Sequence, residues 1–129
     1  MRVLLDTQVW LWMQMAPRRL SAETRELLLD PANDLLLSAA SAWEIALKYA
    51  LRKLPLPEPP SDYVPSRMRA SGTTALPIHH AHVLWTANLP PHHRDPFDRL
   101  LVAQAQLEGL PLLTADRQLA AYDVEVLWA

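Results

Sequence analysis

The sequence predicts an α/β domain in which a mostly parallel sheet lies between layers of helices. Three observations carry this. Short apolar runs bounded by turn residues alternate along the chain with segments whose apolar residues recur at helical spacing. Four acidic residues, Asp6, Glu44, Asp98 and Asp116, fall where a strand hands over to a helix or where a helix begins. Finally, 50% of the 129 residues are apolar, enough for one compact core, and the length is too short for two ordinary domains, so residues 1–129 are expected to form a single domain.

Arg2 to Leu5 is a short apolar run ending at Asp6, suited to a buried parallel strand. A helix follows with Val9, Trp10, Trp12 and Met13 on its apolar side. Trp10 and Trp12 lie two residues apart and point in different directions on a helix; if one is buried, the other is left to meet a ligand or a partner. Ser21-Ala22-Glu23-Thr24 is a capping box with Thr in place of its final Glu, and Leu27, Leu28 and Leu29 make it a second amphipathic helix, stopped at Asp30-Pro31-Ala32-Asn33. Leu35 to Leu37 is the second strand. Ser41-Ala42-Trp43-Glu44 has the full S-x-x-E form and is expected to open a helix to about Lys53.

Pro55, Pro57, Pro59 and Pro60 then make an extended connector. Ser61 to Ala70 is a further helix, started or interrupted by Pro65 and ended at Ser71-Gly72. A third strand is expected over Thr74 to Ile78 and a short helix over His80 to Ala87. After the loop Pro90 to Arg94, Asp95-Pro96-Phe97-Asp98 opens the clearest helix of the chain, with Leu100, Leu101, Ala103, Ala105 and Leu107 apolar and Gly109 as its stop. Pro111 to Thr114 is a fourth strand running into Ala115-Asp116, and Val124 to Trp128 is a last, edge strand. The alternation fits right-handed crossovers between parallel strands.

A formal net charge of −2 argues against a protein that binds nucleic acid through an overall positive field. Local pairs such as Arg18 with Arg19, Arg52 with Lys53, Arg67 with Arg69 and Arg94 with Arg99 could still frame an acidic centre and hold a phosphate backbone. No apolar run approaches the roughly 18 residues of a membrane span, and the chain opens directly on a strand without a basic-then-apolar leader. The expectation is a cytoplasmic protein with no membrane association. Without cysteine there is no thiolate metal site and no cysteine nucleophile, so any metal is held by oxygen or imidazole.

Each acidic residue has an ordinary explanation when taken singly. Asp6 and Asp116 could cap helices after strands, Glu44 could be the reciprocal partner of Ser41, and Asp98 could serve the same purpose three residues after Asp95, with Pro96 at the favoured first position. Jointly they say more, because in a parallel sheet all four positions lie along the carboxyl edge, where α/β proteins place their sites. Carboxylates crowded within a few ångström disfavour joint ionisation, and the usual remedy is a hard, oxygen-seeking cation such as Mg²⁺ or Mn²⁺. That constellation points to metal-dependent phosphodiester hydrolysis. Asp95 is first a helix cap and second a support for the metal site. His79, His80 and His82 lack metal-ligand spacing and are expected at or near the surface. His93 and Arg94 immediately precede the acidic helix and could reach a substrate phosphate, or lie in a solvated loop.

Four segments in order, Leu4-Leu5-Asp6-Thr7, Ser41-Ala42-Trp43-Glu44-Ile45, His93-Arg94-Asp95-Pro96-Phe97-Asp98-Arg99-Leu100-Leu101 and Leu113-Thr114-Ala115-Asp116, resemble the PIN-domain ribonucleases, specifically the VapC toxins of bacterial type II toxin–antitoxin pairs. The likeness covers nearly the whole chain. It implies a three-layer α/β/α fold with a central parallel sheet of about five strands, Mg²⁺ or Mn²⁺ as cofactor, RNA as substrate, a small cognate antitoxin as partner, and a homodimer. By the same resemblance Asp6, Glu44, Asp98 and Asp116 match the acidic quartet. The metal would be held by Asp6 and Asp98, with Glu44 and Asp116 direct or through water. Asp95, Thr7, Thr114, His93, Arg94 and Arg99 stand as further support or substrate contacts. The apolar helices around Trp10, Trp12 and the Pro55 to Pro60 connector are the expected groove for an antitoxin segment.

Other readings fit less well. A haloacid-dehalogenase-like phosphatase needs a second aspartate two residues after the first, where this chain has Gln8. A receiver-like domain needs an aspartate and a lysine after middle and late strands that have no good candidate here. A catalytically silent PIN-like module that only binds a protein is the remaining alternative; it would be marked by a missing carboxylate, and all four are present.

Overall fold

The computed structural model describes every residue from Met1 to Ala129. Five strands, β1 (Arg2–Leu5), β2 (Asp34–Ser38), β3 (Thr73–Leu76), β4 (Leu112–Thr114) and β5 (Val126–Trp128), form one sheet in the order β3-β2-β1-β4-β5, with every neighbouring pair parallel. Six α-helices connect them: α1 (Thr7–Met15), α2 (Ala22–Leu29), α3 (Ala39–Ala50), α4 (Pro60–Ser71), α5 (His80–Trp85) and α6 (Pro96–Glu108). No helix is long and apolar enough to cross a membrane.

The central strands β1, β2 and β4 are apolar on both faces, and the side-chain alternation sorts their residues into two cores. Val3, Leu5, Leu35, Leu37 and Leu113 pack on one side with Val9, Trp10, Ile45 and Tyr63; Leu4, Leu36 and Leu112 pack on the other with Leu101, Val102 and Leu119. Two buried faces on one sheet make three layers. Strand order sets the position of the site. The chain builds outward from β1 to β2 and β3, then returns past β1 to lay down β4 and β5, so the topological switch lies between β1 and β4, paired as Leu4 with Leu112 and Leu5 with Leu113. A crevice opens at such a switch beyond the carboxyl ends of its strands. Asp6 follows one of these strands and Asp116 the other.

Several element boundaries differ from the sequence expectation. α3 begins at Ala39, not at Ser41: β2 continues through Ser38, which pairs with Leu76, and the Ser38 hydroxyl accepts the Ala40 N–H at 2.9 Å as the cap. Ser41 is therefore inside the helix, fully buried, and takes a hydrogen bond from the Thr7 hydroxyl at 2.7 Å. α3 also stops at Ala50, short of Lys53. Its end is closed by Arg52 in the left-handed conformation (φ 58°), with the Arg52 N–H donating to the Tyr49 carbonyl at 3.0 Å and the Lys53 N–H to the Lys48 carbonyl at 2.8 Å. β3 spans Thr73–Leu76 and ends at Pro77, which cannot donate to the ladder. Past Trp85 the expected single helix tightens into a 3-10 turn over Thr86–Asn88, and after Asp116 the chain makes only a 3-10 helix, Arg117–Ala121.

His82 corrects the expectation of a surface histidine. It is 2% exposed, accepts the His79 N–H on Nδ1 at 2.9 Å and contacts Glu108 through Nε2 at 2.8 Å. Trp10 is fully enclosed and edge-on to Tyr63, so it lines no groove, whereas Trp12 is half-buried beneath the Arg19 guanidinium.

Candidate active site

A cleft of about 450 Å³ opens at the β1/β4 switch, and Asp6, Glu44, Asp95, Asp98 and Asp116 all line it, together with Thr7, Trp12, Lys48, Lys53 and Leu54. Each carboxylate reaches it by a different local device. Asp6 leaves β1 as the N-cap of α1, accepting the Gln8 N–H at 3.4 Å, while the buried Thr114 hydroxyl donates to its other oxygen at 2.5 Å. The same Thr114 oxygen accepts the Asp116 N–H at 3.0 Å, so one side chain of β4 sets the relation between the two aspartates at the switch. Asp116 caps the following 3-10 turn through Gln118 N–H at 3.0 Å.

Asp95 is the N-cap of α6 and accepts the Phe97 and Asp98 N–H groups on a single oxygen, at 2.8 and 3.3 Å. Pro96 at the first helical position fits that cap. Asp98, in the first turn, is left to face the cleft near the positive end of the helix. Glu44 comes from the second turn of α3. It is no partner of Ser41: one carboxylate oxygen takes the Lys48 ammonium, and the other, Oε1, is buried without a hydrogen-bond partner.

Anionic crowding is visible in the ionisation equilibria. Burial, and then the charges of Asp6, Asp95 and Glu44, push the Asp98 carboxyl up from 3.8 to about 7, with His93 opposing them. Burial likewise raises Asp6, against its hydrogen bonds from Thr114 and Gln8. The hydrogen bond from Lys48 to Glu44 raises the lysine above its usual range.

His93 enters the acidic group. Its Nε2 lies 2.9 Å from Asp116 Oδ2 and 3.3 Å from Asp98 Oδ2, and the ligating atoms of these three residues lie within 4.8 Å of one another. The Asp95 N–H donates to Nδ1 at 3.0 Å, which assigns the ring proton of the neutral imidazole to Nε2. His93 thus donates to Asp116, with Asp98 close by, and its Nε2 carries no free lone pair for a cation in this tautomer. The His93 N–H is anchored on the Tyr122 hydroxyl at 2.9 Å.

Of the remaining sequence candidates, Thr7 and Thr114 are buried beside the aspartates. Arg94 is exposed and does not line the cleft, and Arg99 is drawn away from it. The Arg99 guanidinium donates to the Pro90, Thr86 and Leu89 carbonyls at 3.0, 2.9 and 3.4 Å and to the Tyr122 hydroxyl at 3.3 Å, pinning the loop before α6. Sequence reasoning missed Lys48, although the Glu44/Lys48 spacing of four on a helix is the usual signature of an ion pair.

The donor set suits a hard divalent cation. Carboxylate oxygens predominate, Glu44 Oε1 has no other partner at a buried position, and burial and then the neighbouring carboxylates raise the Asp98 carboxyl well above its usual range.

Known proteins share the fold and part of the sequence. Over 60 residues the chain is 60% identical to Ribonuclease VapC16 of Mycobacterium tuberculosis, a stretch that spans 46% of this chain and 43% of that relative's length. VapBC2 of Rickettsia felis bound to a promoter DNA fragment shares the fold with a TM-score of 0.73 at 14% identity, covering 99% of this chain and 98% of that one. DNA-bound VapBC of Salmonella typhimurium gives 0.71 at 15% identity (99% and 98% covered), and FitAcB of Neisseria gonorrhoeae 0.65 at 24% (98% and 96%). The family model for the PIN domain matches residues 3–125, a stretch that begins in β1, ends just before β5 and contains every carboxylate of the cleft; the chain belongs to the PIN domain family.

Proposed function

We propose that the protein is a metal-dependent endoribonuclease, the toxin of a type II toxin–antitoxin pair. The observation that carries the reading is the buried, unpartnered Glu44 Oε1 in an open cleft shared with Asp6, Asp98 and Asp116, an arrangement suited to a divalent cation. Mg²⁺ or Mn²⁺ would be held by Asp6 and Asp98, with Glu44 and Asp116 contributing directly or through water. When bound, the cation would activate a water molecule and offset charge on the phosphate oxygens.

The chain's own side chains prepare that chemistry. The Thr114 hydroxyl fixes one oxygen of Asp6 and leaves the other toward the α1 terminus. The Nε2–H of His93 holds Asp116 and lies beside Asp98, which eases the crowding of the two carboxylates. Partial positive charge at the N-termini of α1 and α6 favours both the ionised aspartates and an incoming phosphate. RNA is supported by the 60% identity to a ribonuclease over nearly half the chain, and an antitoxin partner by the VapBC and FitAB complexes that share the fold. A single PIN domain over residues 1–129, a homodimer and a cytoplasmic location complete the proposal. The groove for the antitoxin would run over Trp12 and Leu54 rather than the enclosed Trp10.

The test is incubation of purified protein with total RNA and a transfer-RNA pool in Mg²⁺, Mn²⁺ or EDTA, beside Asp98→Asn. Discrete, metal-dependent cuts that are lost in the variant are expected. Intact RNA in every lane, with Mn²⁺ binding shown by calorimetry, would instead favour the silent protein-binding module.

A further inference from the structure

The acidic cleft is not lined by acid alone. Lys48 and Lys53 also line it, and each is placed there by the end of α3. Lys48 stands one helical turn beyond Glu44, 46% exposed at its side chain, with its ammonium on Glu44. Lys53 is brought back toward the helix by the turn in which its own N–H bonds the Lys48 carbonyl. That turn requires Arg52 in the left-handed region, a conformation unfavourable for a non-glycine residue. The two other left-handed helix ends, after α4 and α6, use Gly72 and Gly109. Lys48 in the last turn of α3 also complements the helix dipole, but the dipole does not explain why both lysines should border the cleft.

We propose that Lys48 and Lys53 are the residues that hold the RNA phosphates flanking the scissile group, and that Lys48 is in addition the resident counter-ion of Glu44, displaced from it when a divalent cation is bound. The proposal rests on the ribonuclease reading. In the metal-free protein one ammonium partly neutralises the acidic group. A cation on Glu44 takes over that neutralisation, and the released ammonium is left a few bonds' rotation from a phosphate lying across the cleft. A lysine is suited to this exchange because its charge is compact and its stem flexible.

The two functions predict effects of opposite sign, which loss of structure cannot produce. In Lys48→Gln, Mn²⁺ binding followed by calorimetry is expected to tighten roughly three- to tenfold, since a competing positive charge is gone. Binding of a fluorescein-labelled, mixed-sequence single-stranded RNA, measured by anisotropy with Ca²⁺ in place of Mn²⁺, is expected to weaken by about the same factor, with the slope of log affinity against log salt shallower by about 0.7. Lys53→Gln, an exposed change, should weaken RNA and flatten the slope without tightening Mn²⁺ binding. Lys48→Arg should restore the RNA slope. RNA affinity and slope unchanged in both glutamine variants would overturn the phosphate assignment, and weaker Mn²⁺ binding in Lys48→Gln would overturn the counter-ion role. If the parent protein neither binds nor cuts RNA, the ribonuclease reading itself fails, and this inference with it.

Discussion

Asp98 is a carboxyl group whose surroundings work against its charge. With its folded value near 7 and an ordinary unfolded value near 3.8, the protonated form is favoured by the fold. The stability that comes with that proton is complete below about pH 4 and is lost as the pH rises through 7, because the ionised group must then be held among Asp6, Asp95 and Glu44. In EDTA, Asp98→Asn should therefore be more stable than the parent protein at pH 8, by up to about 4 kcal/mol, and melt close to it at pH 4. Thermal denaturation at the two pH values checks this. A variant that is less stable at both would show that the aspartate is tolerated without penalty. At this scale the sequence was most informative about acidic positions. It was least informative about their counter-charges, since His93 meets Asp116 across 23 residues and His82 meets Glu108 across 26, contacts that no local spacing encodes.

Among the elements, α3 shows both what local signals predict and where they stop. Two serines three residues apart, Ser38 and Ser41, each precede a helical pattern, and only the second has a glutamate in capping position. The sheet decides between them: β2 pairs with β3 through Ser38, so the helix starts as soon as the ladder releases the chain. Propensity is a weak prior against such tertiary constraints. The ends of α4 and α6 were legible because Gly72 and Gly109 are the only glycines in the chain and both mark left-handed caps. The end of α3 was not, because Arg52 fills the same role without the usual residue. Arg52→Gly should relieve that conformation and raise stability by about 1 kcal/mol in urea denaturation; a loss of stability would mean that the arginine side chain contributes more than its backbone costs.

The molecule as a whole depends on its central strand. All five strands and all six helices were foreseeable from alternating apolar runs and helical spacing, whereas the strand order was not, since pairing in a parallel sheet is decided by crossovers and packing and not by adjacent sequence. Leu4, wholly buried and flanked by Leu36 and Leu112, should be among the positions least tolerant of truncation. Leu4→Ala is expected to cost about 2–5 kcal/mol, read as a lower urea midpoint with unchanged steepness. A cost below 1 kcal/mol would place the centre of the core elsewhere.

The pairing of β1 with β4 also orders events in time. Asp6 and Asp116 become neighbours only through Leu4 with Leu112 and Leu5 with Leu113, contacts that close a loop of more than a hundred residues. Such long closures are slow compared with local helix formation. A nascent chain that has emerged as far as α6 already carries Asp6, Glu44 and Asp98, yet one flank of its first strand is bare and Thr114, which orients Asp6, is still unmade. A cleft assembled on this plan lacks its β4 wall, and Asp6 its Thr114 hydrogen bond, until the chain has been made past Thr114.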